Sequence, residues 1–185
     1  MQNRGSIFVL ALSLFIPLTV AGQEVGFKPE VPVLVTSSGQ SLDAFTVKTL
    51  LTRAGVAHEY KNLAKVADLD KVKTLVVAFG ASVKGFGAAG ITIDTELART
   101  RDLLAAARQK KIRVIGVHIG GAERRGGLSK DIVEIVSPAS EWLIVWEDGN
   151  GDGYFSKLAA EKKIPLTILK QPMETGKVLA AAFGK

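Results

Sequence analysis

The sequence predicts an α/β domain, a single doubly wound and mainly parallel sheet with helices on both faces, Rossmann-like or flavodoxin-like. Three observations predict it. Residues 31–36, 74–79, 113–119 and 142–146 are near-continuous apolar runs rich in β-branched side chains, the pattern of strands buried on both faces. Most of the stretches between them carry apolar residues at helical spacing. Glycine- and serine-rich segments follow these strands, on the rim where open α/β sheets place ligands.

Taken in order, residues 24–30 are a short polar lead-in. The first strand, 31–36 (V-P-V-L-V-T), has Pro32 near its start, where a missing N–H is tolerable. A turn at 37–41 leads to a helix over 42–54, with Ser41 as its N-cap. Val47, Leu50, Leu51 and Ala54 face the sheet, and Gly55 suits the C′ position. A weaker strand at 58–63 follows, and the region 64–70 stands where a second crossover helix is expected. After the strand at 74–79, residues 80–90 (G-A-S-V-K-G-F-G-A-A-G) read as a long flexible loop. Asp94 is expected to cap the next helix, with Glu96 near its positive end, Leu97, Leu103, Leu104 and Ala107 on its apolar face, and Lys110 and Lys111 at its negative end.

The central strand at 113–119 runs into a loop with four glycines and two adjacent arginines. A helix begins at Ser129 and stops before Pro138. The strand at 142–146 (W-L-I-V-W), an acidic turn at 147–153, a helix from Phe155 to about Lys163, a strand at 165–169 and a helix at 175–183 complete the chain. Right-handed crossovers limit the topology, and the expected strand order is 2-1-3-4-5 with the last strand at an edge.

The 185 residues suit one domain with a sizeable core, spanning 31–185 after a lead-in at 22–30. Residues 1–21 read as a secretory signal: Arg4, an apolar stretch over 6–20 interrupted by Pro17, then Thr19-Val20-Ala21 before a cleavage site. The competing reading is an uncleaved anchor. Export to the periplasm or the extracellular space is expected, with no membrane span after cleavage. There is no cysteine, so disulfides, thiol chemistry and a lipoprotein anchor are excluded. A formal charge of +6 suits acidic ligands. The basic residues are scattered and no aromatic side chain sits in a basic stripe, which argues against nucleic acid.

Four loops gather on one rim. In the first, Ser37, Ser38, Gly39, Gln40 and Ser41 combine hydroxyls with a helix N-terminus, a setting for phosphate or carboxylate. It looks like the phosphate loop of flavodoxins, which opens a flavin-binding reading. In the second, Ser82 and Lys84 sit among glycines without the order of a nucleotide P-loop. In the third, Gly120 and Gly121 flank Arg124 and Arg125, whose guanidinium forks bind carboxylate or phosphate at two points; one of the pair is expected to touch ligand. His118 ends the strand before it, either as a satisfied structural residue or as an acid/base. In the fourth, Asp148, Asn150 and Asp152 have the opening spacing of a calcium loop, but Ala159 stands where a bidentate glutamate is required, which leaves a weak calcium site as a lesser alternative. Asn150 and Asp152 otherwise orient a ligand by hydrogen bonds. The pattern G-x-S-x-G fails at Lys84, and any set built from Ser37, His118 and Asp148 is available by chance.

The segments V-L-V-T-S-S-G-Q-S, G-A-S-V-K-G-F-G-A-A-G-I, H-I-G-G-A-E-R-R-G-G-L-S and G-N-G-D-G-Y-F, behind a signal peptide, resemble the bacterial exported DUF6305 family. That resemblance spans nearly the whole mature chain and implies an exported single domain, with no activity or ligand attached. The leading expectation is therefore an exported binding protein for a small anionic solute, with no resident cofactor. The alternatives are an enzyme using His118 at the same rim, a flavin-binding protein, and a scaffold for another exported protein.

Overall fold

A computed structural model describes residues 27–185. The signal-peptide expectation for residues 1–21 lies outside them, as does most of the lead-in. Six strands form one all-parallel sheet: β1 (Val33–Ser38), β2 (His58–Tyr60), β3 (Thr74–Phe79), β4 (Arg113–His118), β5 (Trp142–Trp146) and β6 (Leu166–Leu169). Their order is β2-β1-β3-β4-β5-β6, the doubly wound order expected, with β6 at an edge.

Among the described residues six helices cover the sheet: α1 (Asp43–Arg53), α2 (Val83–Ala89), α3 (Ile93–Gln109), α4 (Ser129–Ala139), α5 (Tyr154–Lys162) and α6 (Thr175–Ala182). One core joins Leu34, Leu75, Val77, Val114, Leu143 and Val145 to side chains of α2, α3, α4 and α5. The other joins Val33, Val35, Val76, Ile115, Val117 and Ile144 to α1 and α6. Alternate residues of the same strands serve the two layers, as the pleat dictates. Register aligns the strand ends: Ser38 lies opposite Phe79, Ala78 opposite Val117, and His118 opposite Val145.

Several local expectations are corrected. Residues 80–90 are not a flexible loop, because 83–89 form α2. Glycine weakens a helix intrinsically, but here Ser82 caps it through its Oγ, accepting from Gly85 N at 3.1 Å, and Phe86 is buried beneath it. The N-cap of α3 is Thr92, not Asp94; its hydroxyl accepts from Thr95 N at 3.3 Å. Leu42, not Ser41, holds the N-cap position of α1, and Ser41 Oγ accepts from Asp43 N. Pro138 lies inside the last turn of α4. The second strand is three residues long, and the 64–70 region holds one 3₁₀ turn, Val66–Leu69. Phe27 is not part of a solvated lead-in: it is buried against Trp142, with the Arg113 guanidinium 4.3 Å over its ring.

Candidate functional site

The strands all point one way, so the loops after β1, β3, β4 and β5 meet at one rim. The first two loops are locked together. Gly80 N donates to Ser38 O at 2.9 Å and Ser82 N to Gly39 O at 2.8 Å, around a bridge between Gln40 and Ala81. A Cβ on Gly39, whose φ is +102°, would run into the Gly80 carbonyl, and one on Gly85 into the Gln40 carbonyl. These glycines permit close backbone approach.

Beneath the first loop sits a carboxylate that the motif reading assigned only to the helix dipole. Glu96 is fully buried. Its Oε1 accepts from Gly39 N at 2.7 Å, Gln40 Nε2 at 2.9 Å and Arg99 Nη2 at 2.9 Å; its Oε2 accepts from Arg99 Nε at 2.8 Å. Burial pushes the Glu96 pKa up, but Arg99, Gly39 and Gln40 outweigh it and hold the group below its ordinary value. The loop whose donors suit an external anion already holds an internal one. Asn62 extends the network by donating to Gln40 Oε1, and Arg99 also donates to the carbonyls of Ala64 and Ser37. Ser38 Oγ shares a 2.9 Å hydrogen bond with Thr100. Ser37 Oγ is buried with no hydrogen-bond partner among the described residues.

Arg124 reaches this junction from the third loop. Its aliphatic stem lies across two glycines: a Cβ on Gly80 would come within 3.1 Å of Arg124 Cβ, and one on Gly120 would collide with Arg124 Cδ. Nη1 donates to Ala81 O at 2.7 Å, and Nε stands 3.8 Å from Asp43 Oδ2. The Arg124 side chain is 31% exposed, enough for its outer edge to meet a solute.

Arg125 turns the other way. Its Nη2 is 2.7 Å from Asp152 Oδ2, and its guanidinium stacks 4.5 Å over Tyr154 and 5.0 Å over Phe155. The arginine pair is therefore split, one member to the β1–β3 junction and the other to α5. Asp148 accepts from Ala122 N at 2.7 Å. Asn150 Oδ1 accepts from Phe155 N at 3.0 Å and Ser156 N at 3.3 Å, at the first turn of α5. Asp152 Oδ1 accepts from Tyr154 N at 3.1 Å. The three side chains of the calcium-loop spacing are thus turned to three different duties. Among the described residues no group of three or more His, Cys, Asp or Glu is placed to hold a metal.

His118 is fully buried between Phe79 and Phe155, with ring centroids at 5.2 Å and 5.1 Å. Nδ1 lies 3.0 Å from Phe79 O and Nε2 3.3 Å from Gly121 O. A Cβ on Gly149 would fall 2.7 Å from its ring, so that glycine closes the lid over it. Burial drives the imidazole pKa below its ordinary value, against the two carbonyls that favour the cation. No hydrogen bond joins His118 to Ser37 or Asp148.

Lys84 is exposed on the first turn of α2, apart from the buried network. Beside the first loop, Gln40, Ser41, Leu42, Phe45, Tyr60 and Asn62 help line a groove of about 290 Å³. Gly39, Gln40 and Arg124 are thus brought together at one junction. Lys84, Arg125, Asn150 and Asp152 are held elsewhere on the rim. Glu96, Arg99, Thr100 and Asp43 are the members that motif reading missed. Glu96 and Thr100 had a signal: at 96, 100, 103 and 107 they continue the apolar stripe of α3.

Comparison with known proteins adds the following. The family model described as a domain of unknown function, DUF6305, matches residues 30–183. No curated protein matches. Among solved structures, a GDSL-like lipase from Bacteroides thetaiotaomicron is 12% identical, with 82% of this chain and 84% of that one covered at a TM-score of 0.37. A serine-to-alanine mutant of the esterase AlinE4 is also 12% identical, with 72% of each chain covered at a TM-score of 0.29. Neither likeness bears on the chemistry of this rim.

Proposed function

We propose, for a chain that belongs to the DUF6305 family, an exported binding protein that holds a small anionic solute at the C-terminal rim of the sheet, with Arg124 as the anchor. One observation carries the reading. Arg124 is laid over Gly80 and Gly120, fixed at Nη1 by the Ala81 carbonyl, and only loosely paired with Asp43 at 3.8 Å. A guanidinium held by its stem keeps the planar fork that matches a carboxylate or phosphate, with little left to order on binding. Binding is favoured over turnover because no nucleophile–base pair is assembled: Ser38 is bonded to Thr100, and His118 is buried between Phe79 and Phe155 with no hydrogen bond to a serine.

Calorimetry of the purified domain against a panel of small carboxylates and phosphates tests the reading. Saturable heat with at least one member is expected, weakened in Arg124→Ala by about 1–3 kcal/mol, the scale of a lost charge-assisted hydrogen bond. Saturable heat that Arg124→Ala leaves untouched would remove the anchor. The absence of heat and of any melting shift across the panel would remove the function. Export is tested by the mass of protein recovered from outside the cytoplasm, which should begin near residue 22.

A further inference from the structure

A second hollow lies at the opposite end of β4. It is a half-open hollow of about 730 Å³ where the C-terminal turns of α3 and α4 meet the start of the strand, within the ordinary size range for small-molecule sites. Its floor is apolar, with Leu104, Ile112 and Val114 buried and Pro138 and Ala139 on the far wall. Its edge is cationic. Arg108, Lys111 and Arg113 line it against a single carboxylate, Glu141. Arg113 is neutralised, its Nε 2.9 Å from Glu141. The side chains of Arg108 and Lys111 have no ion pair or hydrogen bond among the described residues. Lys111 moreover holds a left-handed backbone, φ +56°, at a helix C-terminus, where glycine or asparagine sits more easily.

Two cations at the mouth of an apolar hollow match one class of molecule. We propose that this hollow is a binding site for a small organic anion with an apolar body, an alkyl or aryl carboxylate or sulfonate. Arg108 and Lys111 take the head group, and Leu104, Val114 and Pro138 cover the body. Burying the apolar part supplies a driving force that grows with its area. Two exposed cations alone hold a bare inorganic anion only weakly, because salt screens them. The site is independent of the rim around Arg124, which lies beyond the other end of the same strand.

The probe is anilinonaphthalene sulfonate, which fluoresces when its rings leave water, with decanoate as competitor and inorganic phosphate as the apolar-free control. The expected result is a saturable rise in fluorescence on the folded protein, displaced by decanoate and not by phosphate at the same concentration. The double variant Arg108→Ala, Lys111→Asn should weaken the affinity about tenfold or more with the melting temperature held. Asparagine is chosen because it tolerates the left-handed backbone. Ala105→Trp, which fills the hollow and leaves both charges, should abolish the signal, and Arg124→Ala should not change it. The proposal is overturned by a folded protein that gives no fluorescence rise, by phosphate competing as well as decanoate, or by binding that survives both the charge and the filling variants.

Discussion

Arg99 donates to both oxygens of Glu96, Nε to Oε2 at 2.8 Å and Nη2 to Oε1 at 2.9 Å. The carboxylate they share is fully buried, three residues earlier on the same helix. A buried ion pair of this kind need not be more stable than an apolar pair of the same shape, but removing one partner strands the other. Arg99→Ala is therefore expected to cost about 3–5 kcal/mol in urea denaturation. Glu96→Gln, which keeps the shape, should cost about 1–3 kcal/mol. A negligible loss for Glu96→Gln would mean that the charge is not what matters there.

The same carboxylate sets an acid limit. Its pKa is lowered on folding from an ordinary 4.5, so the unfolded chain takes up the proton first. Its contribution is present above that ordinary value and is lost as pH falls through the folded one. A stability profile should decline below about pH 4.5, and Glu96→Gln should decline less steeply over that range. Parallel profiles for the two proteins would argue that another carboxylate governs the acid limb.

His118 predicts a second slope at milder pH. Its imidazole is buried and its pKa lies below the ordinary 6.5, so between the two values the unfolded chain binds a proton that the folded one refuses. Stability should then rise with pH toward 6.5 and level off above it. Proton resonances of the His118 ring should titrate below the ordinary 6.5 and show, above it, a neutral imidazole donating from one nitrogen only. A ring still charged at pH 7 would reverse the sign.

Two glycines of α2 make a matched pair. Gly85 faces the Gln40 carbonyl with no room for a methyl group, whereas nothing lies within 4 Å of a Cβ on Gly87. Gly87→Ala should stabilise the protein by about 0.4–1 kcal/mol by restricting the unfolded chain. Gly85→Ala should destabilise it and loosen the first loop, seen as faster amide exchange at Gly39 and Gln40.

The split arginine pair predicts split phenotypes. Arg125→Ala removes the stack on Tyr154 and Phe155 and the contact with Asp152, so it should lower the melting temperature while a rim anion still binds. Arg124→Ala should do the reverse. Loss of anion binding in Arg125→Ala at intact fold would mean that the anchor has been misassigned.

Much of the fold was readable because β1, β3, β4 and β5 each carry a near-continuous apolar run, and only a strand covered on both faces needs that. The helix α2 was not readable, since its three-residue stretch Gly85-Phe86-Gly87 argues locally for a loop. What makes it helical is Phe86 finding a core built by α3 and β3, a long-range effect. The gathering of the rim loops was legible in the glycines, but their use was not. Gly39 clears space for the backbone at Gly80, Gly80 and Gly120 clear it for one arginine, and Gly87, Gly90, Gly126, Gly127 and Gly153 clear it for nothing within 4 Å. The fate of Arg125 depends on Tyr154 and Asp152, almost thirty positions away, and no local pattern carries that.

The two ends of β4 bear on how the molecule can be interrogated. Six residues, five steps of about 3.3 Å, put roughly 17 Å between its termini, with Gly116 near the midpoint and a methyl there blocked by Ser140 and Leu143. Occupants at the two ends would be too far apart to touch. Any mutual effect measured between them must pass through the elements that reach both ends, β4, α3 and α4, so a double titration would report on the stiffness of that packed layer.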